Sequence, residues 1–277
     1  MKQRGSVILA IMAAILVLIT GCQDFDNDQT GRIVIKITDA PFPIDLIDEA
    51  NVSITKVELR NDKDTTGNPF ITVFEDTVEF NLLDLRNGVT ADLLETEIPV
   101  GNYNLIRLYV DNASISVRDF NTYSVKVPSG AQTGIKIFIK PSLKVAGGLT
   151  SEVLLDFNVD RSFVLKGNAN TPAGIKGFNF KPVIRAVNNT TAGIVEGVVM
   201  DADSVLLADA SVWIEQDTVI TTAYTSDEGF YAMAGIPTGM YSLSAVKEGF
   251  DTVTFHDIAV IEGNLTIQNF VLETIAE

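Results

Sequence analysis

Arg32-Ile33-Val34-Ile35-Lys36-Ile37-Thr38 places isoleucine at every second position, with Val34, Lys36 and Thr38 on alternate positions. Side chains on a strand alternate between faces with a period of two, so this stretch predicts a half-buried β-strand rather than an amphipathic helix. The same signal recurs at Ile71 to Phe74, Tyr103 to Val110, Ser114 to Arg118, Tyr123 to Val127, Ile135 to Ile139, Val153 to Val159 and Ile175 to Val187. Val52 and Ile54 share a face, but Val57 and Leu59 fall one step out of phase, which predicts a bulge near Thr55. Only Leu82 to Arg86 and Thr90 to Leu94 read as briefly helical. Many short strands separated by Gly, Asn and Asp turns predict an all-β chain of antiparallel β-sandwiches rather than alternating βα units.

On the C-terminal side, Asn188-Asn189-Thr190-Thr191-Ala192-Gly193 is the clearest polar break, and the domain boundary is placed there. A first sandwich is expected over 31–187, a linker over 188–192 and a second sandwich over 193–277. Strands of the second are expected at Ile194 to Met200, Ser211 to Glu215, Val219 to Thr225, Tyr231 to Ala234, Tyr241 to Lys247, Val253 to Ile258 and Leu265 to Leu272. Cys22 is the sole cysteine of the 277 residues, so no disulfide framework is available and apolar burial must carry stability.

On the N-terminal side, Lys2 and Arg4 precede an unbroken apolar run from Val7 to Ile19. A helix of that length rises roughly 20 Å, short of a roughly 30 Å hydrocarbon core, so a cleaved signal is favoured over a permanent span. Leu18-Ile19-Thr20-Gly21-Cys22 resembles the lipobox of bacterial lipoproteins. The resemblance implies a signal peptide over 1–21, cleavage before Cys22, acylation of Cys22 by palmitate-type chains, and a membrane partner reached through that lipid anchor. The acidic stretch Gln23 to Asp28 opens a tether over 22–30. It resembles the surface-export signal that follows the lipid cysteine in some Gram-negative phyla, which implies display on the outer membrane. A periplasm-facing placement stays open beside it.

The formal net charge is −16, and losing Lys2 and Arg4 with the signal leaves 18 bases against 36 acids. Such a chain repels polyanions, so nucleic acid and anionic headgroups are not expected partners.

Two further resemblances cover the body of the chain. Thr38-Asp39-Ala40-Pro41, Val52-Ser53-Ile54-Thr55-Lys56-Val57, Leu82-Leu83-Asp84-Leu85, Gly101 to Leu108 and Leu155-Asp156-Phe157 together resemble a bacterial lipoprotein family of unknown function with an Asp-Ala-Pro motif after its first strand. It implies no activity. From Gly193 onward, Gly193 to Val199, Thr225-Ser226-Asp227-Glu228-Gly229-Phe230-Tyr231, Gly235-Ile236-Pro237-Thr238-Gly239-Met240-Tyr241 and Lys247-Glu248-Gly249-Phe250 resemble the carboxypeptidase regulatory-like domain. That resemblance implies a transthyretin-like sandwich of the carbohydrate-binding-like class, an accessory module without catalytic residues. A glycan or an envelope protein is the partner it implies.

Chemical constellations are sparse. The one histidine, His256, lies in a strand-like run, and there is no Gly-x-Ser-x-Gly elbow or Gly-Lys-Ser/Thr phosphate loop. No zinc set or cofactor signature is present, and no catalytic residues are assigned. Asp156, Asn158 and Asp160 form an oxygen-rich row opposite Val153, Leu155, Phe157 and Val159. It lacks the loop glycine and bidentate glutamate of a calcium hand, so a solvated strand face or local turn bonding is preferred to calcium. Asp39 is expected to accept backbone hydrogen bonds locally where the first strand ends. Trp213, opposite in parity to Ala210, Val212 and Ile214, is expected to face outward with Ser211 and Glu215. With Tyr224 and Tyr231 as neighbours it is the candidate ligand platform, while packing over a sheet edge or between domains is the preferred reading.

Overall fold

The computed structural model describes residues 29–40, 46–63, 68–127 and 130–275. The signal, Cys22 and the tether up to Asp28 lie outside the described residues, as do Pro41 to Asp45.

Among the described residues, twenty strands make up nearly all of the regular structure. The first twelve are β1 (Thr30–Ala40), β2 (Ile47–Asn61), β3 (Phe70–Phe74), β4 (Val78–Asn81), β5 (Ala91–Pro99), β6 (Gly101–Val117), β7 (Thr122–Val125), β8 (Ile135–Val145), β9 (Thr150–Asn158), β10 (Phe163–Gly167), β11 (Ile175–Phe180) and β12 (Ile184–Asn188). Ten of them form one sheet in the order β3-β2-β6-β8-β12-β9-β1-β5, with β4 also on β2 and β7 on β6, while β10 and β11 form a separate hairpin. The sheet folds over a single core. Ile33, Ile35 and Ile37 of β1 are fully buried in it, as the alternation predicts, beside Val52, Leu108, Ile115 and Phe157. Each such side chain contributes about 1.5–3 kcal/mol by leaving water.

The predicted bulge is present. Ile54 pairs with Val110 and Lys56 with Tyr109, so Thr55 is the extra residue. It flips the parity of β2 so that Val57 and Leu59 stay inside. Leu82–Leu85 forms a short 3-10 turn capped by the Asn81 side chain.

Five expectations are corrected, two of them because Ile175 to Val187 and Leu265 to Leu272 each divide into two strands. Thr90 to Leu94 is not helical: Ala91 begins β5, whose register runs antiparallel to β1. Tyr103 to Val110 and Ser114 to Arg118 are one continuous strand, β6, because Asp111 and Asn112 stay extended. The sheet is not purely antiparallel either: β9 runs parallel to β1 from Arg32↔Thr150 to Ala40↔Asn158. Alternation reports which face is buried and carries no information on strand direction.

The remaining strands are β13 (Ala192–Asp201), β14 (Ser211–Gln216), β15 (Thr218–Tyr224), β16 (Phe230–Pro237), β17 (Gly239–Val246), β18 (Val253–Val260), β19 (Leu265–Ile267) and β20 (Phe270–Leu272). They form two four-stranded sheets, one containing β16, β13, β19 and β20, the other in the order β15-β14-β17-β18. Between the sheets lies a second core of Val195, Val212, Ile214, Tyr231, Leu243 and Phe270.

Some buried apolar residues belong to neither core. Leu154 and Val187 of the first domain meet Gly235 of the second so closely that a Cβ at Gly235 would lie 2.8 Å from Leu154 Cδ2 and 3.7 Å from Val187 Cβ. Gly88 faces Ala232 in the same way, with 3.2 Å between a notional Cβ and Ala232 Cβ. The break at 188–192 is not a slack tether. Asn188 ends β12, Asn189–Thr191 makes one 3-10 turn, and the Glu152 amide donates to Thr190 Oγ1. The two domains therefore meet along a packed seam.

Candidate functional site

The seam is where polar groups converge, and strand register brings them there. Parallel pairing of β1 with β9 sets Thr38 beside Asp156 and Asp39 beside Phe157. Antiparallel pairing of β9 with β12 sets Arg185 opposite Asp156. The Arg185 guanidinium donates from Nε (3.2 Å) and Nη2 (2.7 Å) to Asp156 Oδ2, and from Nη1 to the Gly235 carbonyl of the second domain at 2.9 Å. One side chain thus ties a buried carboxylate of one domain to the backbone of the other.

A turn completes the arrangement. The Val89 amide donates to the Arg86 carbonyl, and both central residues, Asn87 (φ 55°) and Gly88 (φ 78°), are left-handed. Asn-Gly is the pair that such a turn selects, because glycine carries no Cβ penalty and asparagine tolerates positive φ. Thr38 Oγ1 lies 3.0 Å from the Leu85 carbonyl and 2.9 Å from that of Val89, and holds the turn against the end of β1. The turn in turn presses Gly88 onto Ala232.

Asp39 is only 5% exposed. Its Oδ1 accepts from the Val159 amide at 3.2 Å, across 120 residues of sequence rather than within a local turn as expected. Its Oδ2 has no hydrogen-bond partner, and neither does the buried Oδ1 of Asn87. Both residues line one small cavity with Thr38, Asp156, Thr221 and Ala232, with room for about one water-sized body. Burial holds the Asp39 carboxyl well above the usual carboxylate range, and the charge of Asp156 pushes it further up, against the Val159 amide and Arg86.

The oxygen-rich row, expected as a solvated face or as local turn bonding, is dispersed, and only Asn158 bonds locally. Asp156 is 7% exposed and bound to Arg185, Asn158 accepts from the Arg161 amide as a helix cap, and Asp160 sits in the short helix Val159–Ser162. Asp156 is buried because the second domain covers the outer face of β9.

Asn87 also lines a wider groove on the seam, with Arg86 on one side and Asp209, Tyr224, Thr225, Ser226 and Asp227 on the other. Burial raises the Tyr224 hydroxyl, Ser211 lowers it and Asp160 across the seam raises it.

Trp213 stands opposite Thr222 and Ser244, and Ser211 stands opposite Tyr224. Opposed residues share a face, so Trp213 and Tyr224 are diagonal neighbours on the outer side of the β15-β14-β17-β18 sheet. Tyr231 is different: it is fully buried in the second core, its hydroxyl donates to the Gln268 carbonyl, and its ring lies 6.1 Å from that of Phe270. It is withdrawn as a ligand residue. His256 is exposed on β18, with Nδ1 2.9 Å from Ser242 Oγ. Among the described residues no group of three or more His, Cys, Asp or Glu side chains converges. Among them, too, no helix is long and apolar enough to cross a membrane.

Residues 30–182, more than half of the chain, match the model of a domain of unknown function, DUF4382. The chain belongs to that family. Thr38, Asp39, Asn87 and Asp156 all fall inside the DUF4382 region, and Arg185 follows it by three residues. Residues 194–273 match the carboxypeptidase regulatory-like domain. The order of the two regions is the one the motifs imply.

No curated protein matches the chain. Solved structures with some likeness include a 3-chlorocatechol 1,2-dioxygenase from Rhodococcus opacus (14% identity, TM-score 0.22, 30% of this chain and 59% of that one). The shaft pilin SpaA of Lactobacillus rhamnosus GG shows 11% identity and a TM-score of 0.26, over 90% of this chain and 99% of the pilin. A Pseudomonas aeruginosa protein described as a candidate carbohydrate-binding protein shows 16% identity and a TM-score of 0.20, over 31% and 90%. The chain spans 59% of the dioxygenase's length. At these scores the likenesses say nothing of function.

Proposed function

We propose that this chain is a non-catalytic envelope protein, anchored through acylated Cys22 in the outer membrane and displayed at the cell surface, whose work is to bind an extracellular polymer, with carbohydrate as the first ligand class. The observation that carries the binding reading is the polar groove of Arg86, Asn87, Asp209, Ser226 and Asp227 with Tyr224 on its flank. An aromatic ring beside convergent hydrogen-bonding groups suits a sugar, which offers an apolar face and a rim of hydroxyls. The carboxypeptidase regulatory-like fold and the lipobox support the accessory, surface-anchored part of the proposal. The test is a screen of glycans and wall polymers against a soluble form starting at Gln23. Saturable binding weakened by Tyr224→Ala favours the groove, binding weakened only by Trp213→Ala favours the outer sheet face, and no binding at all removes the proposal.

A second reading, a protein-interaction accessory of transport or adhesion machinery, rests on a different observation. Ile194 of β13 (43% exposed) stands opposite Leu265 of β19 (49%) with Ile267 (64%) two residues on, an apolar row on the outside of the sandwich. In-cell crosslinking from Ile267 to an envelope protein is the measurement that favours it.

A further inference from the structure

We infer that the seam cavity is a binding site for one hard cation, with calcium as the probe, held by the oxygens of Asp39, Asn87 and Asp156.

The argument starts from a surplus of acceptors. Asp39 Oδ2 and Asn87 Oδ1 are buried and lack partners, and both residues line the same cavity. With Asp39 ionised, neither its carboxylate oxygen nor the amide oxygen can donate, so the two cannot satisfy each other, and buried acceptors call for a donor or a cation.

Charge points the same way. Asp39 and Asp156 bring two carboxylates into the seam, and the Arg185 guanidinium that offsets one of them has Nε and Nη2 committed to Asp156 and Nη1 to Gly235. Arg86 spends its Nε on the Leu83 carbonyl. When Asp39 is ionised, one carboxylate charge is left without a contacting cation in a buried place, which a protein ordinarily avoids.

Asp39, Asp156, Asn87, Thr38, Thr221 and Thr222 offer oxygen to a metal, and Met233, packed in the second core, is the one sulfur side chain of the lining. A lining dominated by oxygen favours calcium or sodium over zinc or copper, and magnesium gives up its water reluctantly for so small a space. The two domains supply opposite walls, so the cation would also bridge them.

The experiment is calcium titration by calorimetry, with thermal unfolding in calcium or EDTA, on the whole soluble chain. One calcium per chain is expected, with Kd on the order of 10⁻⁴ to 10⁻³ M as in extracellular modules, together with a calcium-dependent rise in Tm. Asp39→Asn keeps the shape and removes the charge, and should lower the affinity at least about tenfold. Asn87→Asp, a residue that tolerates the positive φ, should raise it and serves if Asp39→Asn does not fold. No heat and no shift in the parent chain would overturn the inference, since a proton on Asp39 or a turned Asn87 amide would then satisfy the cavity. An unchanged calcium response in either variant would overturn it equally, by moving the ion elsewhere.

Discussion

The two cores and the seam between them are closed by opposite means. Each core is a continuous set of aliphatic and aromatic side chains drawn from alternate positions. The seam is built from a glycine pressed on Leu154, a left-handed Asn-Gly turn, an arginine–aspartate pair and an aspartate with an unpartnered oxygen. Apolar packing is non-directional and tolerates exchange at constant volume, whereas buried polar groups depend on each partner being present. Substitutions in the cores should therefore cost stability in proportion to volume, and substitutions in the seam should change how the domains respond to charge and to each other.

The largest effect is expected in a core. Phe157→Ala removes a fully buried ring and should cost about 3–5 kcal/mol in denaturant unfolding, mostly in the first domain's transition. Arg185→Met comes next, at about 2–3 kcal/mol, because it leaves Asp156 buried and unpaired while a quarter of the arginine side chain is already exposed to water. It should also separate the calorimetric transitions of the two domains; an undivided transition of unchanged Tm would put the seam among surface contacts. Gly235→Ala should cost about 1–2 kcal/mol, from the left-handed φ of 66° and from the approach to Leu154.

A change of slope rather than level is expected at Asp39. Its folded carboxyl titrates above its unfolded value, so the folded state binds the proton more tightly. In calcium-free buffer the stabilisation is complete below the usual aspartate range and is lost as pH rises through the raised folded value. Asp39→Asn should flatten stability against pH across that window, and an unaltered slope would remove Asp39 as its source. Trp213→Ala, on the half-buried outer face, should change stability by less than about 1 kcal/mol.

Much of the fold is legible in the chain, because a strand with one wet face writes its burial as alternation. Ile33, Ile35 and Ile37 show it, and the slip between Ile54 and Val57 locates the bulge at Thr55. Alternation fails where a second domain covers the other face. In β16 Tyr231, Ala232 and Met233 are all buried, because Tyr231 and Met233 enter the core while Ala232 meets Gly88. In β9 Leu154 and Asp156 are buried alongside Leu155 and Phe157. The inward position of Tyr231 and the burial of Asp156 were hidden for that reason.

The seam was less legible still. Asp39 can be singled out by its place after β1, but its partner Val159 is 120 residues away, and nothing local links the two. Asn87-Gly88 carries a strong turn signal; what the signal omits is that the turn faces another domain.

The most direct test of the seam is whether the domains move as one. Residual dipolar couplings measured on backbone amides of the soluble chain should fit a single alignment tensor for residues 30–187 and 192–275 together. Two distinct tensors, one for each domain, would mean that the Arg185 bridge and the Gly235 contact do not hold the domains in this arrangement, and the shared cavity would lose its basis.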